Sequence, residues 1–132
     1  ESREERLSME KQERALISVN FEKSGQGSFK IIIKDDGRGI NPKLIKYLAS
    51  KRPKLKHLPF EEMSNHEIIQ IIFYAGLSSK EEASDISGRG VGLDAVKSEV
   101  EKIGGTILVK SEIDKGTTII ATVPILMPFL KD

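Results

Sequence analysis

Asp35-Asp36-Gly37-Arg38-Gly39 and Gly88-Arg89-Gly90-Val91-Gly92-Leu93 are the stretches whose residue types and spacing could do chemistry, and they lie about fifty residues apart. Glycine lacks a Cβ, so its backbone can approach a ligand closely and adopt positive φ. In the second cluster Gly88, Gly90 and Gly92 lead directly into a helix predicted to start near Val91. The free N–H groups and positive dipole end of such a helix suit phosphates. Asp35 closes a predicted strand, and a carboxylate there can accept a hydrogen bond from an exocyclic amine, which would read an adenine without a charge partner. The bland alternative for Asp35 is a tight turn. A dinucleotide fingerprint is excluded, because no strand closely precedes Gly88 and the glycines fall at every second residue. A Walker phosphate loop is excluded too, since neither cluster runs into Lys followed by Ser or Thr.

The elements that must position these clusters follow from periodicity. Glu1 to about Arg14 is charged, with Leu7 and Met9 as its apolar marks, and reads as a short exposed helix or irregular lead-in. Ile17, Val19 and Phe21 alternate with polar neighbours, which predicts a half-buried strand. A Gly-rich turn over 24–28 joins it to a second strand, Phe29 to Lys34, so the two form a hairpin. Asn41-Pro42 supplies an N-cap and a first-turn proline for a helix through about Ser50. Ser64 and Glu67 make a capping box for a helix carrying Ile68, Ile69, Ile71, Ile72 and Phe73. Leu93, Val96, Val100 and Ile103 mark one face of another helix, stopped by Gly104-Gly105. Thr106–Glu112 and Thr117–Val123 are the last strands, turned by Asp114-Lys115-Gly116. Hairpins separated by helices predict an α+β fold, with helices on one face of a mixed sheet.

Composition narrows the class. The chain has 132 residues, 38% hydrophobic and 31% charged, which fits one globular domain. Cysteine is absent, so disulfides and thiolate metal sites are excluded. A net charge of +1, and a basic run over Lys51, Arg52, Lys54 and Lys56 without interleaved aromatics, argue against nucleic acid as a partner. No apolar stretch is long enough for a transmembrane helix, so direct membrane contact is not expected. His57 and His66 are the only histidines, and both read as surface residues rather than phosphate acceptors. Arg38 and Arg89 could meet phosphates or simply be solvated.

DDGRGI, FYAGLSS, SGRGVGLDAVK and KGTTIIATVP, in that order, resemble the ATP-binding domain shared by gyrase, a heat-shock chaperone, histidine kinases and MutL. The wording GRGVGLDAVK resembles the chemotaxis kinases of the CheA kind, and the similarity runs from about Glu1 to Pro124. The resemblance implies an α/β sandwich of the Bergerat type, with a mixed, mostly antiparallel sheet, helices on one face and an ATP lid over about 41–87. It implies that Asp35 binds adenine, that Gly37 and Gly39 shape the pocket floor beside Ile40, and that Phe73 belongs to the lid's phenylalanine box. Ala75 and Leu77 stand where that box usually has proline and phenylalanine. Gly88, Arg89, Gly90, Val91, Gly92 and Leu93 are implied to meet the phosphates, and Thr117 to support the aspartate.

The family places an asparagine that holds Mg²⁺, and a His or Glu near the transferred phosphate, on a helix ahead of this region. Glu1-Ser2-Arg3-Glu4-Glu5-Arg6-Leu7 resembles the segment just after that helix. On this reading the chain is truncated at its N-terminus, no catalytic or metal residue is assigned within it, and it is inactive as a kinase by itself. The implied cofactors are ATP and Mg²⁺, and the implied setting is cytoplasmic. The implied partners are a histidine phosphotransfer domain, a response regulator, a chemoreceptor and a coupling protein. The other readings are a nucleotide- or partner-binding module without kinase activity, and a gyrase-like ATPase.

Overall fold

The computed structural model describes residues 1–25, 27–75, 77 and 92–125. Helix α1 (Arg3–Ser8) leads into strands β1 (Ile17–Lys23) and β2 (Ser28–Asp35). Helices α2 (Pro42–Ser50) and α3 (Asn65–Ile69) follow, and α3 continues as a 3₁₀ turn over Gln70–Phe73. Helix α4 (Leu93–Lys102) and strands β3 (Thr106–Glu112) and β4 (Gly116–Pro124) complete the described chain. The four strands form one sheet in the order β1-β2-β4-β3. Each pairing is antiparallel, so the sheet expected as mixed and mostly antiparallel is antiparallel throughout its described strands. The reason is topological. Each hairpin is antiparallel within itself, and β4 enters beside β2 running the opposite way.

Local signals set the helix starts. The Asn41 side chain accepts from Lys43 N–H at 3.0 Å, and Pro42 takes the first turn of α2. At α3 the Ser64 hydroxyl accepts from Glu67 N–H while the Glu67 carboxylate accepts from Ser64 N–H, a complete capping box. Only five residues of this stretch are α-helical, and Ile71, Ile72 and Phe73 belong to the tighter 3₁₀ turn instead. Past α4, Gly104 takes φ +83°, a left-handed stop that favours glycine.

The core sits off-centre. Ile45 and Ala49 of α2, Leu55, Ile68 and Ile71 form one buried cluster among the helices. Ile69, Phe73 and Val109 form a second, joined by Ile40, Ile107 and Ile119, and this one seats the helices on the sheet. Of the segment expected as a lid, residues 41–75 are therefore packed helix and turn, attached at β3.

The half-buried β1 of the sequence reading is corrected: all seven of its residues are exposed, Ile17 at 73% and Phe21 at 72%. Val19 pairs with Ile33, Ile33 with Ile119 and Ile119 with Val109, so all four share one face. Strands lie about 4.8 Å apart, which puts β1 roughly 14 Å from β3. A helical layer about 10 Å wide over β3 does not reach it. The apolar face expected on α4 is likewise uncovered, with Leu93, Val96 and Ile103 exposed.

Gln70 holds the other edge of the sheet. Its side-chain oxygen accepts from Val109 N–H at 2.9 Å and its amide donates to Val109 O at 2.7 Å, as a neighbouring strand would.

Candidate functional site

The site is built where β2 ends. Asp35 Oδ1 accepts from Gly37 N–H at 2.8 Å, the bond of an Asx turn, and from Thr117 N–H at 3.3 Å. No bond reaches Oδ2 from the described residues. One oxygen thus ties the carboxylate to the turn at Gly37 and to β4.

Two glycines let the loop nest into the β3–β4 hairpin. Gly39 has φ +78°, and a Cβ there would lie 2.3 Å from Glu112 O. Gly116 has φ +130°, and its Cβ would meet Asp35 O. Hydrogen bonds fasten the nest: Ile40 N–H donates to Ser111 Oγ at 2.8 Å and Asp114 N–H donates to Arg38 O at 2.7 Å. Ser111 Oγ is also 3.0 Å from Gly116 O and 2.9 Å from Thr117 Oγ1.

A second group of contacts holds the loop from the N-terminal side. Arg6 of α1 is only 2% exposed, and its Nη2 donates to Asp36 Oδ2 at 2.6 Å. Asp36 Oδ1 accepts from Leu16 N–H at 2.9 Å, and Lys11 Nζ donates to Gly37 O at 2.7 Å. The Arg6 hydrogen bond, followed by the Leu16 amide, holds the Asp36 carboxyl below its ordinary range, and the same contact raises the Arg6 guanidinium. Glu1 is lowered mainly by its hydrogen bond from Lys11.

A carboxyl depressed in the folded chain stabilises it above the ordinary aspartate value near about pH 4, and that contribution is lost as pH falls through the folded value. The groups facing Asp36 are Arg6 and, through Arg6, Glu1, which Lys11 also bonds. Between about pH 5 and pH 3 the thermal midpoint of the wild-type chain is expected to fall more steeply than that of Asp36→Asn, in calorimetric scans. Glu1 leaves the variant a residual slope.

The structure brings Asp35, Gly37, Gly39, Ile40 and Thr117 together. Thr117 supports Asp35 through its backbone N–H, while its hydroxyl turns to Ser111. Phe73 is 3% exposed and packed on Val109, so its side chain is in the core rather than facing a ligand. Gly92 N-caps α4 with extended backbone, and no side chain caps the helix, so its first amides are not bonded by a cap. Gly88, Arg89, Gly90 and Val91 lie outside the described residues. Arg38 pairs with Glu5 at 2.8 Å. His57 and His66 are exposed, as expected. A cleft of about 530 Å³ opens between Pro42, His66 and Lys110. It shares Ile40 with this set but is lined by neither Asp35 nor Thr117, so it lies beside them rather than over them.

Arg6, Ser111 and Gln70 were not legible as site or sheet-edge residues. Arg6 stands in a charged run where every other residue from 1 to 10 is exposed, the apolar Leu7 and Met9 included. Ser111 is a polar residue in an ordinary strand pattern. Among the described residues no group of three or more His, Asp or Glu side chains gathers to hold a metal ion, and no helix is long and apolar enough to cross a membrane.

Residues 6–127 match the family described as Histidine kinase-, DNA gyrase B-, and HSP90-like ATPase. The chain is 38% identical over 101 residues to a gliding motility regulatory protein of Myxococcus xanthus, covering 76% of this chain and 13% of that one. It is 37% identical over 131 residues to the chemotaxis protein CheA of Borreliella burgdorferi, covering 99% of this chain and 15% of that one. With the CheA of Bacillus subtilis the identity is 35% over 130 residues, 98% of this chain and 19% of the relative. The chain thus spans less than a fifth of the length of these relatives. A mycobacterial sensor histidine kinase, MprB, superposes with a TM-score of 0.47 at 21% identity, over 83% of this chain and 56% of that one.

Proposed function

The chain belongs to the histidine kinase-, DNA gyrase B-, and HSP90-like ATPase family, and on that premise we propose that it is the ATP-binding domain of a chemotaxis-type histidine kinase. Its relatives named as chemotaxis protein CheA support this reading over nearly the whole chain. ATP would supply the γ-phosphoryl group for a histidine on a separate phosphotransfer domain, in trans. The chain's own part is to bind and orient, which is most of what phosphoryl transfer asks of a protein.

The observation that carries the reading is Asp35, whose Oδ1 is anchored by Gly37 and Thr117 while Oδ2 has no bond from the described residues. That oxygen accepts from the exocyclic amine of adenine. Gly37 and Gly39 keep the loop beneath it free of Cβ bulk. The start of α4 offers its first amides and positive dipole end to phosphate oxygens. A lid role for the segment 41–87, whose residues 41–75 are packed helix and turn, and the phosphate contacts of Gly88 to Leu93 belong to the same proposal. Among the described residues no three His, Asp or Glu side chains gather as a cation cluster, and none of these roles depends on the ion. In the cytoplasmic setting of this reading, the partners are the phosphotransfer domain, a response regulator, a receptor and a coupling protein. A gyrase-like ATPase would instead release phosphate without any phosphohistidine.

The test is calorimetric titration of the chain with ATP and Mg²⁺, beside Asp35→Asn. Asparagine keeps an oxygen for Gly37 and Thr117 but presents an N–H₂ where the amine must donate. Loss of one charged hydrogen bond and a donor facing a donor are expected to weaken binding about 10- to 100-fold. Equal affinity in both proteins, or none in the wild type, overturns the reading.

A further inference from the structure

We propose that Arg6 is a positioning residue for adenine recognition, acting through the Asp36–Gly37 peptide on the carboxylate of Asp35. The proposal rests on the nucleotide reading above. Arg6 is the one buried charged residue among the described residues, and each of its guanidinium nitrogens is engaged. Nε donates to Gln12 O at 2.8 Å, and Nη2 donates to Arg14 O at 3.1 Å as well as to Asp36 Oδ2. Nη1 donates to Glu1 Oε1 at 3.1 Å and reaches Asp36 O at 3.4 Å.

That last contact connects the arginine to the site. The oxygen of Asp36 and the N–H of Gly37 belong to one peptide unit, planar and trans, so fixing the oxygen fixes where the N–H points. The N–H points at Asp35 Oδ1, 2.8 Å away. Arg6 holds both the side chain and the carbonyl of Asp36, and the peptide passes that constraint to the carboxylate whose other oxygen meets the base. Lys11 holds the next carbonyl, Gly37 O. A planar fork is suited to this task, because its donors leave in fixed directions. Arg6 and Lys11 thereby brace the Asp36–Gly37 peptide from behind the adenine contact.

A residue that only stabilises the fold would, on removal, weaken every nucleotide alike. One that aims Asp35 would weaken those read by their exocyclic amine. The experiment is calorimetric titration of the whole chain, its Arg6→Gln variant and its Asp36→Asn variant with ATP and with ITP, which carries a carbonyl in place of that amine. Circular dichroism at the titration temperature reports folding. The wild type is expected to prefer ATP by about tenfold or more, the worth of one charged hydrogen bond. In both variants ATP affinity is expected to fall toward that for ITP while ITP affinity holds, so that the ratio approaches one. A parallel fall of both nucleotides, or an unchanged ratio, overturns the proposal and leaves the nucleotide reading standing. Unfolding of both variants assigns the pair to folding and overturns it equally. A wild type that binds neither nucleotide, or does not prefer ATP, overturns this inference together with the reading beneath it.

Discussion

Alanine at position 39 is expected to lower the thermal midpoint of the chain by about 12 °C, while alanine at position 25 lowers it by only about a third as much. Both glycines have positive φ, +78° and +62°, so both substitutions meet the left-handed cost of roughly 1 kcal/mol. They differ in what the new Cβ touches. At Gly25 nothing lies within 4 Å, whereas at Gly39 the Cβ would be 2.3 Å from Glu112 O and 2.8 Å from Glu112 C. Those atoms are backbone of β3 and cannot rotate away, so the loop or the hairpin must move. Overpacking of this kind costs about 1–3 kcal/mol, for a total of about 3 kcal/mol. In a domain of this size each kcal/mol is worth about 4 °C. The loop that moves starts directly after Asp35 and supplies the Gly37 N–H that anchors it, so Gly39→Ala is also expected to lose ATP binding at temperatures where it remains folded. Calorimetric scans of the two variants, followed by titration, check both halves. Equal midpoints would show that the hairpin yields freely.

Ile71→Ala is expected to be as damaging to stability and neutral to the site. Ile71 is fully buried, in a cluster with Ile45, Ala49, Leu55 and Ile68. The side chain sits in the 3₁₀ turn after α3, flanked by residues that pack both inward and on the sheet, so the surroundings have little room to collapse. Removing a buried isoleucine under those conditions costs about 4 kcal/mol. Urea denaturation should show the midpoint fall without a change of slope. Ile71 belongs to the cluster among the helices, which meets the one seated on the sheet only through the partly buried Ile40 and Ile72, so affinity for ATP in the folded variant is expected to stay within about twofold. A large loss of affinity would mean that the two clusters move together.

What could be foreseen from the chain divides along one physical line. Caps, turns and glycine stops are local, and Asn41, Ser64 with Glu67, Gly104 and the Asp114–Gly116 turn stand where their chemistry places them. Asp35, Gly37 and Gly39 stood out only through the order of the motifs that follow them, because a strand end followed by glycines is by itself as well explained by a tight turn. Burial was less legible, because it depends on what lies overhead. Alternation marked β1 correctly as a strand, but periodicity does not say whether a helical layer extends far enough to cover Val19. The Arg6 contacts span 30 residues to Asp36. They place a charged side chain inside and its apolar neighbour Leu7 outside, which inverts the rule that sequence patterns rest on. The Gln70 bonds to Val109 likewise join residues 39 apart through a side chain that mimics a strand.

The sheet order carries a consequence for how the molecule assembles. The β1–β2 and β3–β4 hairpins join neighbours in sequence and can form early, each by itself. Their union at β2–β4 has to bring together Asp35 and Thr117, 82 residues apart, against the entropy of closing everything between. Asp35 has both of its anchors only after that seam has closed. A ligand gripped by the anchored carboxylate binds the finished sheet and has no equivalent hold on the open chain. Its concentration therefore enters the folding equilibrium, and saturating nucleotide at a hundred times its dissociation constant would add about 2.7 kcal/mol to the stability of the seam.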